Sequence, residues 1–276
     1  MHLDVAFPNL GIEIQTLPRT ILGGNVYMYG VAIFIGVLAG LAYGVHEAKR
    51  TGQDPDLYFN FLFYALIASV IGARLYYVAF SWDNFRDDWL RIFAIREGGL
   101  AIYGTIFAAI ATALVYTRKH RINFRLFADT ASPGLILGQA IGRWGNFFNR
   151  EVFGVDTDSL FAMRYLAEQV GYIPQQVTTF MIDGASYIQV HPTFLYEGLW
   201  SLSVFTFMNI CKKRKKFDGQ IFAIYLIGYG TGRAIIEQIR TDILFLWNTN
   251  LAVSQLVSIA LVAVGIGLVF IWRKER

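Results

Sequence analysis

A helix needs about 20 apolar residues to cross the hydrocarbon core of a bilayer. This chain carries seven apolar stretches of roughly that size, near residues 26–45, 58–80, 100–116, 128–142, 193–210, 221–236 and 250–272. Lipid supplies no hydrogen bonds to a backbone, so isolated spans of this kind fold as helices. The pattern therefore predicts an all-α integral membrane protein with seven transmembrane helices. No repeat or linker divides the 276 residues, and 1–276 reads as a single membrane domain. The one sizeable connection, 143–192, is expected to form a cap on one face.

Basic residues are retained on the cytoplasmic side during insertion, and their positions orient the bundle. Lys49 and Arg50 follow the first span. Arg118, Lys119, Arg121 and Arg125 follow the third, Lys212, Lys213, Arg214, Lys215 and Lys216 the fifth, and Arg273, Lys274 and Arg276 the last. All four clusters fall on one face. On the other, Arg86, Arg96 and Arg240 are accompanied by Asp87 and Asp88, Glu97, and Asp242. The N-terminus is read as outside, the C-terminus as cytoplasmic and the 143–192 cap as extracytoplasmic. The basic clusters account for most of the net charge of +4, and anionic lipid heads are sufficient partners for them, so no nucleic acid is inferred. A lone Cys211 excludes an internal disulfide and is read as structural. Residues 1–25 lack the basic start and apolar run of a cleavable signal.

Ionisable groups at membrane depth are costly and mark cavities or partners. Three such segments stand at the outer ends of helices. In Gly142-Arg143-Trp144-Gly145-Asn146-Phe147-Phe148-Asn149-Arg150-Glu151-Val152-Phe153-Gly154, a continued helix would set Arg143, Asn146 and Arg150 on one face. Gly142 and Gly145 would admit another backbone or a lipid headgroup. The plain alternative is a snorkelling arginine among interfacial aromatics. In Tyr229-Gly230-Thr231-Gly232-Arg233 and onward to Asp242, the residues Arg233, Glu237 and Arg240 form one stripe. An intrahelical ion pair explains Arg233 with Glu237 and leaves Arg240 over. An anionic group held between arginines of two helices accounts for more, because a guanidinium offers paired donors to phosphate oxygens. The third segment, Glu97-Gly98-Gly99 through Tyr103-Gly104-Thr105, reads as irregular backbone lining a cavity around one phenol, against the plain alternative of an aromatic-belt tyrosine.

Taken together, these residues resemble the bacterial prolipoprotein diacylglyceryl transferases. The segment from Gly142 to Gly154 fits that family's Gly-Arg-x-x-Asn-x-x-Asn-x-Glu-x-x-Gly pattern at every fixed position. The likeness extends to Tyr29-Gly30, Gly98-Gly99, His191-Pro192-Thr193 with Tyr196-Glu197, and Gly232-Arg233 with Glu237 and Arg240. It implies transfer of a diacylglyceryl group from phosphatidylglycerol to the lipobox cysteine of an exported prolipoprotein, at the outer face of the bacterial cell membrane, as the first step of lipoprotein maturation. Arg143 and Arg233 are then the candidates for gripping the lipid phosphate and the charge that develops on it. Asn146 and Glu151 would orient the glycerol head and the arginine forks, and Glu237 would pair with an arginine. Tyr29, Gly98, Gly99, Tyr229, Arg240, His191 and Glu197 complete the expected substrate contacts, with Tyr103 beside the chemistry.

A thiol near its reference pKa of about 8.5 is mostly protonated at neutral pH and needs a base or a positive potential. Many relatives carry a His in a His-Gly-Gly segment where this chain has Tyr103. Three readings stay open: Tyr103 only positions a substrate, the arginine potential favours the thiolate, or Glu151 or His191 takes the proton. Positioning is favoured, since a phenol near pKa 10 is a poor standing base.

His191-Pro192-Thr193 reads as a helix start, with Pro in the first turn and Thr193 assisting the cap. His2, His46 and His120 are scattered and no metal or other cofactor is expected. No Ser-His-Asp grouping or phosphate loop is present. The alternative from another class is a seven-helix transporter of an anionic or lipid substrate. Its site would be expected near the bilayer midplane, where Arg74 is the main charge and is read as a brace. The last span is assigned to packing, and 155–190 to a short helix and a hairpin.

Overall fold

The computed structural model describes residues 3–95, 98–246, 249 and 251–275. His2, Arg96, Glu97 and Arg276, invoked above, lie outside the described residues. Seven α-helices are present among the described residues: α1 Met28–Arg50, α2 Pro55–Phe80, α3 Ile102–Lys119, α4 Phe124–Asn149, α5 Thr193–Lys212, α6 Gln220–Ile236 and α7 Val253–Lys274. Each coincides with one expected span. Three of them, α1, α2 and α7, are long and apolar enough to cross a membrane. These three turn large apolar side chains outward, among them Phe34, Leu38, Phe63, Ile71, Phe270 and Ile271, as a lipid solvent requires. α4 runs well beyond its expected end, and its polar Asp129, Thr130, Ser132 and Asn146 are buried.

The chain divides into two compact units, 1–40 with 132–276, and 41–131. In the larger unit α1 and α4 touch backbone to backbone. A Cβ on Gly36 would lie 2.7 Å from the Gly138 carbonyl oxygen, and one on Gly134 would lie 2.4 Å from that of Gly40. α6 and α7 approach as closely: a Cβ on Gly230 would lie 2.8 Å from the Ser258 carbonyl oxygen. Small residues at such crossings are how helices associate in lipid, where no hydrophobic drive separates them from the solvent.

The larger unit is not all-α, and here the sequence reading is corrected. Strands β1 Val5–Phe7, β2 Ile12–Ile14, β5 Met163–Leu166, β6 Thr179–Ile182 and β7 Ala185–Val190 form an antiparallel sheet in the order β2-β1-β5-β7-β6. A separate two-stranded ribbon joins β3 Thr20–Ile21 to β4 Val26–Tyr27. The expected hairpin is present, turning at Asp183-Gly184, both at positive φ as a two-residue hairpin turn demands. The expected short helix shrinks to one 3₁₀ turn, Ala167–Gln169. A three-residue strand such as β1, whose partner β5 begins at Met163, carries too little local pattern to be recognised.

One face of the sheet packs Val5, Phe7, Met163, Tyr165, Ile188 and Val190 against Phe147 near the end of α4, Phe153 just beyond it and Phe194 at the start of α5. Arg150 ties the ends together. It lies in the left-handed region with φ 54°, ends α4, and is only 3% exposed. It donates to Asp4 Oδ2 at 3.1 Å and to the Leu17 carbonyl at 2.6 Å. Arg150 therefore does not share a helical face with Arg143 and Asn146, contrary to expectation. Burial pulls its pKa below the ordinary guanidinium range, with attraction from Asp4 opposing.

In the smaller unit α2 opens as its sequence dictates, with Asp54 capping the Asp56 N–H at 2.9 Å and Pro55 in the first turn. α2 and α3 cross at Gly72 and Gly104, where a Cβ on Gly104 would lie 2.2 Å from the Gly72 carbonyl oxygen. Gly104 thus serves a helix crossing and not irregular backbone. Arg74 does brace its surroundings. Its guanidinium donates to the carbonyls of Arg91 at 2.5 Å, Ile92 at 2.8 Å, Gly98 at 2.7 Å and Gly99 at 3.0 Å, tying the connection between α2 and α3 to α2.

Candidate active site

Glu197 lies in the second turn of α5 and is 6% exposed. A carboxylate is tolerated there only if it is paired. It is paired three times. Arg143 Nη2, from the penultimate turn of α4, lies 2.5 Å from Oε2. Oε1 takes Arg240 Nη1 at 2.7 Å and Arg233 Nη1 at 3.2 Å. Guanidinium groups from α4, from the last turn of α6 and from Arg240, just past the 3₁₀ turn Glu237–Ile239, thus converge on one carboxylate of a further helix.

Glu237 continues the network. Arg233 Nη2 lies 2.9 Å from its Oε2, the expected one-turn ion pair. Arg240, unexplained by that pair, is held by Glu197 and by a two-point bridge to Asp242, at 2.9 and 2.5 Å. Burial disfavours Arg240's charge, but the Asp242 hydrogen bond and the attraction of Glu197 outweigh it, so its pKa stands above the ordinary range. The arginines differ in access. Arg240 is buried with a side chain 6% exposed, whereas Arg143 and Arg233 keep 24% and 19% of theirs open. The first is a strut and the other two can meet a ligand.

Gly154 explains how the arginines are brought into register. Its N–H donates to the His191 carbonyl at 3.0 Å, Val155 donates to the Ile239 carbonyl at 2.9 Å, and Gly154 bridges Arg240 in antiparallel fashion. Three chain segments cross at that point. A Cβ there would lie 2.6 Å from the Ile239 carbonyl oxygen and 2.8 Å from the His191 Cβ, so only glycine fits. The Thr241 hydroxyl adds a bond to the Phe153 carbonyl at 2.9 Å, and the Thr193 hydroxyl bonds the Val152 carbonyl. Pro192 stands at the cap position of α5 and not in its first turn, and Thr193 supplies no side-chain cap.

Asn146 is buried and donates to Glu151 Oε1 at 3.1 Å, while Glu151 itself is exposed. Gly145 accepts the ring of Tyr29, which a Cβ would approach to 2.8 Å, so the close neighbour that Gly145 admits is an aromatic ring of α1. Tyr229 lies one turn before Arg233 and stacks on Tyr225 at 5.9 Å between ring centroids. Gly232 makes room for Trp200, whose indole donates to the Gly228 carbonyl at 2.8 Å. His191 Nδ1 lies 3.2 Å from the Tyr196 hydroxyl, and partial burial lowers its pKa, leaving the ring neutral at pH 7.

Tyr103, Gly98 and Gly99 belong to the smaller unit. Tyr103 is the second residue of α3, with its ring centroid 6.4 Å from that of Tyr76. Gly98 and Gly99 have φ of +87° and +72°, and their carbonyls serve Arg74.

The family model for prolipoprotein diacylglyceryl transferase matches residues 19–271 of this chain. The chain belongs to the prolipoprotein diacylglyceryl transferase family. Its similar relatives are named phosphatidylglycerol–prolipoprotein diacylglyceryl transferase. The protein of Bacillus cytotoxicus is 38% identical over 250 residues, covering 90% of this chain and 88% of the relative. That of Finegoldia magna is 40% identical over 257 residues, with 93% and 95% covered. That of Listeria innocua is 39% identical over 271 residues, with 97% and 94% covered.

In this diacylglyceryl transferase family member, two partners of the site were not assigned to it from the sequence. Asp242 reads in the sequence only as a companion of Arg240. Ser254 at the start of α7 bonds Glu237, and a serine in an apolar helix carries no pattern that marks it.

Proposed function

We propose that this protein transfers the diacylglyceryl group of phosphatidylglycerol to the thiol of a lipobox cysteine in a prolipoprotein signal peptide. Family membership supports the activity, and nothing observed favours the transporter alternative. The observation that carries the assignment of residues is the convergence of Arg143 and Arg233 on Glu197. A phosphate bearing one negative charge fits between two partly open guanidinium forks that another carboxylate already holds in place.

In this reading the sulfur attacks the glyceryl carbon that carries the phosphate ester. The new C–S bond is a thioether, the C–O bond breaks with its electron pair on oxygen, and glycerol phosphate departs with a second negative charge. Arg143 and Arg233, fixed before the reaction, stabilise that charge without reorganising solvent. Arg240 with Asp242 keeps Glu197 in place, and Glu237 aims Arg233. Asn146 and Glu151 orient the glycerol head, with Tyr29, Tyr229 and His191 as further contacts. Tyr103, Gly98 and Gly99 are assigned to positioning the substrate. The proton of the thiol goes to solvent or to a group among those named. All seven helices are read as spans, with the N-terminus outside and the C-terminus cytoplasmic, and 1–276 as one membrane domain whose 143–192 segment contributes the outer cap.

The test uses the purified protein in phosphatidylglycerol micelles with a fluorescent lipobox peptide, read as a mobility shift. Loss of one preorganised donor of this kind costs about 10²–10³ in kcat, and Arg143→Ala is expected to lose activity on that scale. An unchanged shift in Arg143→Ala would refute the residue assignment, and no shift in the wild type would refute the activity.

A further inference from the structure

The last helix, expected only to pack, reaches into the arginine network. The Ser254 hydroxyl, in the first turn of α7, donates to Glu237 Oε1, while Oε2 of the same carboxylate forms an ion pair with Arg233 Nη2 at 2.9 Å. The two oxygens of Glu237 are thus divided between a helix that holds it and a guanidinium that it aims. Glu237 is itself 2% exposed, so neither the serine hydrogen bond nor the ion pair is replaced cheaply by water. Arg240 Nε stands 3.8 Å from Oε2 and competes for the carboxylate.

Ser254 is held as firmly as what it holds. Ser258, 1% exposed, donates back to the Ser254 carbonyl at 2.6 Å. Gly230 of α6 abuts the Ser258 carbonyl, and Gly265 of α7 would bring a Cβ within 3.1 Å of the Ala223 carbonyl oxygen. The α6–α7 crossing therefore fixes the stretch of α7 from which the hydroxyl reaches Glu237.

We propose that Ser254 is a positioning residue of the transferase: its hydroxyl fixes the rotation of Glu237 and thereby the Arg233 fork that meets the lipid phosphate. It touches no substrate. Without the bond, Oε1 is left for Arg240, the carboxylate turns, and Arg233 loses its aim. Because the fork is needed most when the second charge develops, the loss falls on kcat more than on KM for phosphatidylglycerol.

This inference rests on the proposed transfer activity, and the experiment separates the two. Ser254→Thr keeps the hydroxyl and Ser254→Val has the same shape without it, so their comparison isolates the hydrogen bond. The Val variant is expected to show kcat about 10-fold below the Thr variant, on the scale of a hydrogen bond to a charged group, with KM for phosphatidylglycerol within about 2-fold. A melting-temperature cycle of Ser254→Val with Glu237→Gln is expected to be non-additive, the serine change mattering less once the carboxylate is gone. Equal kcat in the Thr and Val variants, or strict additivity in the cycle, would overturn the proposal. A wild type without turnover would refute the proposed activity, while the melting cycle would still report the Ser254–Glu237 coupling.

Discussion

Glu197 is the residue on which the site turns, since among the described residues it is the one anion shared by Arg143, Arg233 and Arg240. Neutralising it leaves three guanidinium groups facing each other with less to offset their repulsion. Breaking one side of a buried pair costs about 3–5 kcal/mol, and Glu197→Gln is expected to lose stability on the lower part of that scale, because Glu237 and Asp242 remain. The surplus positive charge still attracts phosphatidylglycerol, so KM is expected to hold or fall while kcat drops, as steady-state kinetics in micelles with parallel thermal unfolding would read. A rise in KM with kcat intact would contradict this. The arginines were legible in the sequence because a charge beside an apolar span has to be accounted for locally. Their common partner was not, since Arg143 and Arg233 reach Glu197 across 54 and 36 positions. Arg150 misled for the opposite reason. Its spacing fitted the helix, but α4 ends one residue earlier and its charge goes to Asp4.

Among the elements, the helices were readable from apolar length alone, and the sheet was not, because its short strands recruit β1 and β2 from the far end of the chain. The connection before α3 shows why two adjacent glycines need not have the same reason. Gly98 and Gly99 both have positive φ, but a Cβ on Gly98 meets open space, whereas one on Gly99 would lie 2.6 Å from Arg74 Nη1 and from the Tyr77 ring. Gly98→Ala is therefore expected to cost about 1 kcal/mol from backbone conformation alone. Gly99→Ala adds displacement of the guanidinium and is expected to cost about 3 kcal/mol. Chemical or thermal unfolding of the two variants side by side checks the difference, and equal stabilities would remove the Arg74 cage from the account.

At the scale of the molecule, the N-terminal segment joins the larger unit through β1, its apolar core contacts and a buried charge pair. Asp4 accepts from Arg150, from the Leu17 N–H at 2.8 Å and from Gln169 at 2.5 Å. Removing the carboxylate strands a guanidinium that is almost fully buried, whereas removing the guanidinium leaves a carboxylate with other donors. Asp4→Ala is expected to destabilise by about 3 kcal/mol or more, and Arg150→Met by clearly less, with the double variant recovering part of the loss. Hydrogen exchange over residues 5–14 and 163–166 reads the outcome, and protection that survives Asp4→Ala would show the strands to be held by the Val5, Phe7 and Tyr165 core instead.

The seam between α1 and α4 has a consequence for traffic. Where Gly36 meets Gly138 and Gly40 meets Gly134, main chain rests on main chain and not even a methyl group can be inserted. An acyl tail is shut out along this line. If Arg143 meets a phospholipid as proposed, the doorway for it must open between other helices, and widening this one with larger side chains would pry the pair apart without creating a passage.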